Sequence, residues 1–354
     1  MQRREKVNKE YNPLVSVIIP NYNHSMYLDQ SIQSALNQTY PNIEVIVNDN
    51  ASLDNSVEVV KKYVDRGVII NKNPQNIYNF NYDILDDWVD GKYFVLLCAD
   101  DILKENFIEK AVHIMEEYPE IGFVHGERDY IDENGKITEL DPFFNCSFRV
   151  KGEEMLPIFT LTDIGQSAQA LIRTTAFIKA GKHDTQSDHL NIDREQWFRL
   201  AMISDYAYIR EKMALIRMPE TTSETSRIIE TFYHPIALYH TAKSFEKWAL
   251  LNGYDRVLER IETSLKRFAR ECMGFTKVFL KRENYDLAKR YLLYMRFVDR
   301  EIVQDEEYQR CWEILQEKKG YSVEVNEYKK SSNYAFRKRN YEPPENYVLM
   351  EDMA

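Results

Sequence analysis

The sequence has few cysteines, no long apolar run and no excess of positive charge. Its four cysteines, Cys98, Cys146, Cys272 and Cys311, lie far apart in a chain of 354 residues. This scatter argues against a disulfide framework or a zinc site and favours reduced thiols in a cytosolic protein. The apolar runs are far shorter than the roughly 20 residues that span a membrane, and no secretory signal follows the charged N-terminus. A formal net charge of −11 argues against non-specific nucleic-acid binding.

Glycine is also scarce, with 11 residues in the whole chain. Neither GxGxxG nor GxxxxGK follows the first apolar run, which disfavours a Rossmann dinucleotide fold and a P-loop NTPase. A ligand that carries a diphosphate would therefore need a counter-charge other than a glycine-rich loop.

Short apolar runs do alternate with amphipathic segments over the first hundred residues. The runs "LVSVIIP" (14–20), "NIEVIVND" (42–49), "GVIIN" (67–71) and "YFVLLCA" (93–99) predict strands, with helices between them. This alternation predicts a mostly parallel α/β sheet with helices on both faces. Ligands of such sheets bind beyond the carboxyl ends of the strands.

Polar clusters stand at three of these strand ends: "PNYN" (20–23), "NDNASLD" (48–54) and "ADD" (99–101). The adjacent carboxylates of Asp100 and Asp101 repel each other unless a positive charge compensates them. A hard divalent cation, Mg²⁺ or Mn²⁺, held by carboxylates and by phosphate oxygens of a nucleotide diphosphate would supply that charge.

The order and spacing of these segments resemble glycosyltransferase family 2, which contains inverting nucleotide-sugar transferases with an A-type fold. The resemblance covers "PxYN", "QTYPNIEVIV", "DNASxD" and a DxDD-like motif, within residues 14–225. It implies a catalytic domain at 1–228, with a donor half at 14–126 and an acceptor half at 127–228. An α-helical C-terminal domain with an irregular tail is expected at 229–354.

The resemblance also implies which residues bind the donor. These are Pro20, Tyr22, Asn23, Asp49, Asn81, Ala99, Asp100 and Asp101. The first three would line the nucleoside pocket, Asp49 would bond the base or ribose, and Asp100 would bind the metal. The alternative for Asp49 is a structural one, in which its carboxylate caps the loop.

The segment "DREQWFRLA" matches the position of the family's catalytic base at Asp193. In an inverting displacement the acceptor hydroxyl must lose its proton as it attacks, and a carboxylate within hydrogen-bond reach can take that proton. Glu195 and Trp197 follow on the same predicted helix and are expected to contact the acceptor. The alternative for Asp193 is a helix N-cap without a catalytic part.

Three positions depart from the family pattern. Cys98 stands where DxDD has its first carboxylate, which normally contacts the ribose, and Ile192 replaces an acidic residue before the base. Pro219 stands where the family often has a histidine that helps to hold the metal or diphosphate; His183 or His234 could substitute for it. The run Thr221, Thr222, Ser223 could instead touch phosphate from a closing loop.

From about residue 230 the sequence predicts successive amphipathic helices. Residues 256–300 carry twelve Lys and Arg against six Asp and Glu. This basic stretch is compatible with peripheral contact with an anionic membrane, with intramolecular ion pairs, or with a homo-oligomer interface. The tail after residue 328 predicts irregular structure strapped over the domain.

The sequence thus favours a cytoplasmic, metal-dependent glycosyltransferase that uses a nucleotide sugar, with UDP as the family's frequent nucleotide. Its acceptor would be a hydroxyl of a glycan, a lipid-linked glycan, a surface polymer or a protein. Two alternatives stay open. One is a nucleotidyltransferase, which would release pyrophosphate; the other is a non-catalytic relative that binds sugar or protein, which the departures at Cys98, Ile192 and Pro219 motivate.

Overall fold

The computed structural model describes residues 12–77, 89–162, 164–182, 192–218, 229–318 and 339–350. Within these ranges the chain forms a sheet of eleven strands with helices on its faces. The strands are β1 (Val15–Asn21), β2 (Ile43–Asp49), β3 (Ile69–Lys72), β4 (Tyr93–Leu96), β5 (Ile102–Leu103), β6 (Ile121–Ile131), β7 (Ile137–Thr138), β8 (Phe148–Val150), β9 (Ala170–Arg173), β10 (Asp205–Arg217) and β11 (Val348–Leu349). The helices are α1 (Ser25–Leu36), α2 (Ser56–Lys61), α3 (Phe107–Glu117), α4 (Gly152–Leu161), α5 (Thr174–Lys179), α6 (Ile192–Ala201), α7 (Tyr233–Asn252), α8 (Asp255–Lys281), α9 (Tyr285–Val298) and α10 (Glu306–Glu317).

The sheet is mostly parallel, as the sequence predicts. Its order is β11-β8-β10-β6-β9-β4-β1-β2-β3, with β5 paired to β10 and β7 paired to β6. The longest ladders, β1 with β2 and β6 with β10, are parallel. Shorter strands such as β8 and β9 pair antiparallel to their neighbours and complete the sheet. β6 and β7 pair antiparallel on either side of the turn at Asn134 and Gly135.

Alternating side chains of the central strands build two cores, one on each face of the sheet. Val17 and Ile19 of β1 pack into one core, whereas Ile18 packs into the other with Phe94. Because both faces of the sheet are covered, β1 is mostly apolar, and its sequence predicts a buried strand.

The parallel pairing brings the predicted polar clusters to one edge. Asn21 at the end of β1 lies beside Asp49 at the end of β2, and Ile18 lies beside Leu96 at the end of β4. The loops that carry the donor-side residues therefore start next to one another.

The C-terminal helices have two different partners. Phe245 of α7 stacks on Phe198 of α6 with ring centroids 4.4 Å apart, and the first half of α8 joins the same core. Beyond Ala269, α8 packs with α9 and α10 in a third core of their own. The sheet and the helical region thus share the first part of α8.

The described end of the tail lies across the sheet domain, as predicted. β11 pairs with β8, and Tyr341 exchanges backbone hydrogen bonds of 2.8–2.9 Å with the segment at Phe143 and Asn145. The guanidinium of Arg339 is buried 3.7 Å from the Glu127 carboxylate. The tail therefore helps to neutralise a carboxylate inside the sheet.

The helix expected at 77–88 lies almost wholly outside the described residues. Among the helices that the structure describes, none combines the length and the apolar character needed to cross a bilayer.

Candidate active site

The turn after β4 gathers three potential ligand atoms. The Cys98 sulfur and one carboxylate oxygen each from Asp100 and Asp101 all lie within 4.8 Å of one another. Asp101 is 3% exposed, and its Oδ1 accepts a hydrogen bond of 2.8 Å from the backbone N–H of Arg217. Cys98 and Asp100 are half-buried, so the cluster opens toward the surface through these two residues.

The charge of this cluster is poorly compensated by the protein alone. Burial raises the pKa of Asp101 well above its usual range, and the neighbouring Asp100 carboxylate raises it further. Two adjacent carboxylates with space for a shared ligand form the hard oxygen donor set that Mg²⁺ and Mn²⁺ prefer. The residues present therefore fit the cation predicted from the sequence.

Arg217 holds the turn from the side of β10. Its Nε donates to the Asp100 carbonyl at 2.9 Å, its Nη1 to the Asp132 carbonyl at 2.7 Å and its Nη2 to Gln30 Oε1 at 2.7 Å. The guanidinium also lies 4.1 Å from the ring centroid of Tyr27. One buried side chain thus ties the acidic turn to α1 and to the end of β6.

A serine of α1 fixes the other side of the turn. Ser31 Oγ lies 2.8 Å from the carbonyl of Ala99 and 2.6 Å from that of Asp101. These contacts leave Ala99, a predicted donor residue, buried in the turn with its backbone held by α1.

Asp49 is held deep in the donor-side loops. It is 2% exposed; its Oδ1 accepts from Asn21 Nδ2 at 2.8 Å and its Oδ2 from the backbone N–H of Ser52 at 3.1 Å. The loop-cap alternative is therefore the role that the structure shows, and a bond to the base or ribose stays a prediction. Asn21, which joins the two loops, was missed because an asparagine at a strand end is a common turn residue.

The predicted nucleoside-pocket residues stand at the mouth of these loops. Tyr22 is 40% exposed, Asn23 is exposed and Pro20 is half-buried. Asn23 has a left-handed φ of 58°, and its Oδ1 accepts from the backbone N–H of Leu53 at 2.7 Å. The loops of β1 and β2 therefore brace each other and leave Tyr22 free to face a ligand.

Asp193 lies in the first turn of α6, where a carboxylate is favoured by the helix dipole. Its Oδ1 accepts a hydrogen bond of 2.8 Å from Ser167 Oγ. Ser167 belongs to a short 3₁₀ helix (Ser167–Gln169) that leads into β9, next to β4 in the sheet. The sequence analysis did not single out Ser167, which carries no motif of its own.

The electrostatics of Cys98 connect Asp193 with the acidic turn. Burial raises the pKa of the Cys98 thiol well above its ordinary value, and the carboxylates of Asp101 and Asp100 add to the increase. The Asp193 carboxylate also raises this pKa, so it acts on the thiol through space. The predicted base and the predicted metal ligand therefore lie within electrostatic range of the same thiol.

The expected acceptor role of Glu195 and Trp197 needs correction. Trp197 has no exposed surface, and its Nε1 donates to the Gly165 carbonyl at 2.9 Å. Glu195 is 5% exposed and accepts a 2.5 Å hydrogen bond from Ser244 of α7. Both side chains point into the protein because α6 is covered on two sides, so they position the helix of Asp193 and do not touch an acceptor.

Several other predicted site residues lie outside the described residues or in an environment that differs from the prediction. Asn81, His183, Pro219 and the run 221–223 lie outside the described residues. His234 begins the helical region, where its ring meets that of Phe275 with centroids 5.6 Å apart. Burial lowers the pKa of His234, and its packing gives no support to the predicted role as a substitute ligand.

Comparison with known proteins gives a family match and several named relatives. Residues 16–180 match the family model described as "Glycosyl transferase family 2". An uncharacterized glycosyltransferase of Rickettsia typhi is 26% identical over 297 residues, which are 83% of this chain and 87% of the relative. One of Haemophilus influenzae is 41% identical over 132 residues, 36% of this chain and 38% of the relative.

Solved structures show the same fold at low identity. The structure of S. aureus TarS superposes with a TM-score of 0.54 and 15% identity, covering 85% of this chain and 55% of TarS. TarS 1–349 in complex with UDP-GlcNAc superposes with a TM-score of 0.51 and 16% identity, covering 88% and 94%. Residues 16–180 therefore form a family 2 glycosyltransferase domain with the A-type fold, and the relative that matches most of the chain also carries the name glycosyltransferase, which supports transferase activity.

Proposed function

We propose that the chain moves a sugar from a nucleotide-diphosphate sugar to an acceptor hydroxyl with inversion at the anomeric carbon. In this proposal Asp193 is the base, and Asp100 binds a divalent cation, Mn²⁺ or Mg²⁺. UDP is the nucleotide we favour, in line with the family resemblance; TarS, which shares the fold, has been solved with UDP-GlcNAc.

One observation carries the proposal: the 3₁₀ helix of Ser167, which hydrogen-bonds to Asp193, packs against β4 and β5, the strands on either side of the turn with Asp100 and Asp101. About ninety residues separate these carboxylates in the sequence, and they come from α6 and from the turn after β4. A base on one side and a cation site on the other is the arrangement that an in-line displacement between acceptor and donor requires.

The residues around Asp193 suit the work of a base. Ser167 donates to Oδ1 and so orients the carboxylate that we assign to the acceptor hydroxyl. As the hydroxyl oxygen bonds to the anomeric carbon, its proton passes to Asp193 while the bond to the nucleotide diphosphate breaks. No covalent enzyme intermediate is involved.

The donor side would be held by the acidic turn and the two braced loops. Asp100, with Asp101 behind it, would hold the cation, which when bound neutralises charge on the leaving diphosphate. Tyr22 would stack on or line the nucleoside. Cys98 replaces the first carboxylate of DxDD, so one ribose contact is absent while the cation ligands remain.

The acceptor hydroxyl we propose belongs to a glycan, a lipid-linked glycan, a surface polymer or a protein, and we propose a cytoplasmic site of action. The sequence after the first strand lacks the glycine-rich, basic loop of a nucleotidyltransferase, which favours this chemistry over nucleotidyl transfer with release of pyrophosphate.

The test uses Asp193→Asn in the full-length protein. Wild type with Mn²⁺ and a panel of UDP-sugars should release UDP from one donor, slowly with water and faster with acceptor. We expect Asp193→Asn to lower turnover by roughly 100- to 10,000-fold with donor affinity unchanged, because the amide cannot take the proton. Asp255→Asn, in the first turn of α8, is the matched control and should behave as wild type.

Two results would count against the proposal. Full turnover in Asp193→Asn would show that Asp193 is not the base. Release of pyrophosphate in place of the nucleoside diphosphate would show that the reaction is nucleotidyl transfer.

A further inference from the structure

The basic residues of 256–300 fall into two groups. Intramolecular ion pairs were one of the alternatives for this stretch in the sequence analysis. Six of the basic residues form such pairs: Arg256, Lys266, Arg267, Arg270, Lys277 and Arg282. The partners of this group include Glu154, Glu271 and Glu307, and all six cations lie on α8 or directly after it. The cations of α8 are thus mostly neutralised within the fold.

Of the other six basic residues, Arg260 and Lys281 lie on α8, and four lie on α9 or directly after it. Within the described residues, Lys289, Arg290, Arg296 and the following Arg300 have no carboxylate within ion-pair distance, and all four are exposed. Six acidic residues are present in the same stretch of sequence, so the lack of pairing here reflects geometry and not a shortage of carboxylates.

Two large apolar side chains lie among these cations. Phe297 is 69% exposed and Leu293 is 46% exposed. Because successive residues of a helix turn by about 100°, residues 289, 290, 293, 296 and 297 occupy about a third of the circumference of α9. Leu293 and Phe297 stand at its centre, Arg290 at one margin and Lys289 with Arg296 at the other. We call these five residues and Arg300 the α9 face.

The direction of the α9 face is fixed by the packing behind it. Ala288, Tyr291, Leu292 and Met295 fill the third core from the opposite side of the helix. The rings of Phe297 and Tyr239 are 5.9 Å apart, so the apolar centre continues onto α7. The face is therefore a rigid surface of a folded domain.

The acidic groups near the face are few. Asp286 is exposed at the N-terminal end of α9, and Glu313 of α10 lines the shallow groove beside Arg296. Asp299 and Glu301 flank Arg300 but pair with Arg270 and Lys266. Four cations against Asp286 and Glu313 therefore leave the face positive in a chain whose net charge is −11.

From this arrangement we propose that the α9 face docks on an anionic lipid bilayer surface. An apolar centre within a rim of Lys and Arg is the pattern of surfaces that insert into the headgroup region, because the apolar side chains enter the acyl boundary while the cations meet lipid phosphates. The net charge of −11 is repelled by the same membrane, which favours approach through a positive face such as this one. The inference goes beyond the proposed transfer reaction and does not rest on it.

A second copy of the chain is a poorer occupant. A two-fold interface brings the same patch against itself, which would set four cations against four. A nucleic acid would satisfy the cations, but it would leave Leu293 at the centre of the face in water.

The test is co-sedimentation of the full-length protein with vesicles. We expect binding to phosphatidylcholine vesicles that contain about a third phosphatidylglycerol, and none to pure phosphatidylcholine. Each cation near an anionic surface contributes about fivefold to the partition coefficient, so Arg290→Glu with Arg296→Glu should lower it at least about 20-fold. Leu293→Ser with Phe297→Ser should also release the protein, whereas Arg290→Lys with Arg296→Lys should stay bound.

The matched control is Lys62→Glu with Arg66→Glu, two exposed cations of the α2 region, which should bind vesicles as wild type does. Circular dichroism of each variant checks folding. Equal binding of the Arg290/Arg296 double reversal and the wild type, or no binding of wild type to anionic vesicles, would overturn the proposal. A dimer in solution that the same reversals dissociate would assign the face to a second copy and would also overturn it.

Discussion

At the scale of single residues, the support behind Asp193 includes a buried histidine. His125 on β6 is fully buried; its ring packs edge-on against Trp197 with centroids 4.5 Å apart. Among the described residues neither ring nitrogen has a hydrogen-bond partner. Burial lowers the pKa of His125 to about 3, so the folded protein holds this ring neutral.

The buried ring predicts an acid-sensitive stability. Between the unfolded pKa of 6.5 and the folded value of about 3, the unfolded chain binds the extra proton. The free energy of unfolding should therefore fall as pH drops below about 6.5, by up to about 1.4 kcal/mol per pH unit from this residue. His125→Phe should lower the free energy of unfolding by about 1–3 kcal/mol because the larger ring overpacks the core. It should also flatten the dependence of that free energy on pH. Urea unfolding from pH 7 to pH 4 measures it.

His113→Gln is the control, because that histidine is exposed on α3 and its loss should leave the slope unchanged. A slope in His125→Phe as steep as in wild type would show that His125 titrates normally in the folded protein.

The same scale shows what sequence reasoning can find in a site. Asp100 was predicted from its strand-end position and the family resemblance, and Asp193 and Tyr22 from the resemblance; the roles of all three stay predictions. Asn21, Ser167 and Arg217 position those groups, yet they have no distinguishing pattern because their partners are distant in sequence. Glu195 and Trp197 were misassigned because the sequence pattern of α6 does not show that another helix covers a second side of it.

At the scale of elements, the site depends on a joint between β10, α1 and the turn after β4. Arg217 makes that joint with hydrogen bonds to three separate segments and a contact with the Tyr27 ring. A lysine retains the charge but has a single nitrogen, so it cannot bridge the three segments.

We therefore expect Arg217→Lys to loosen the acidic turn while the charge remains. Cation-dependent nucleotide binding should weaken by about 10- to 100-fold, the usual cost of losing a group that orients metal ligands. Isothermal titration with UDP, with and without Mn²⁺, measures this, and turnover at saturating donor and metal should change less than affinity. Arg210→Lys, exposed on the same strand, should be neutral. Unchanged nucleotide affinity in Arg217→Lys would show that Arg217 does not orient the acidic turn for cation binding.

At the scale of the whole molecule, the helical region supports the catalytic sheet. The sequence places a boundary near residue 228, where strand patterns stop. In the structure Phe245 stacks on Phe198, Ser264 donates to the Thr160 carbonyl, and Arg194 lies 4.9 Å from the ring centroid of Phe268. Amphipathic patterns predicted these helices, but a pattern alone does not say which sheet face an apolar stripe covers.

A fragment of residues 1–228 should therefore fold poorly. It would expose Phe198, which Phe245 of α7 covers, and the side of α4 that α8 covers, and each large apolar side chain left in water costs about 1.5–3 kcal/mol. Size-exclusion chromatography and thermal melting of the fragment and the full chain make the comparison. A monomeric fragment that melts at the temperature of the full chain would show that 1–228 is independent of the helices.

The most direct test of the whole account is nucleotide binding with and without metal. UDP, GDP and CDP are titrated into wild type, Asp100→Asn and the control Asp90→Asn, an exposed residue before β4, each with Mn²⁺ and with a chelator. We predict that one nucleotide binds wild type and Asp90→Asn in a Mn²⁺-dependent manner, and that Asp100→Asn loses the metal-dependent part. Equal affinity with and without Mn²⁺ in wild type, or unchanged metal dependence in Asp100→Asn, would contradict the cation site at the end of β4.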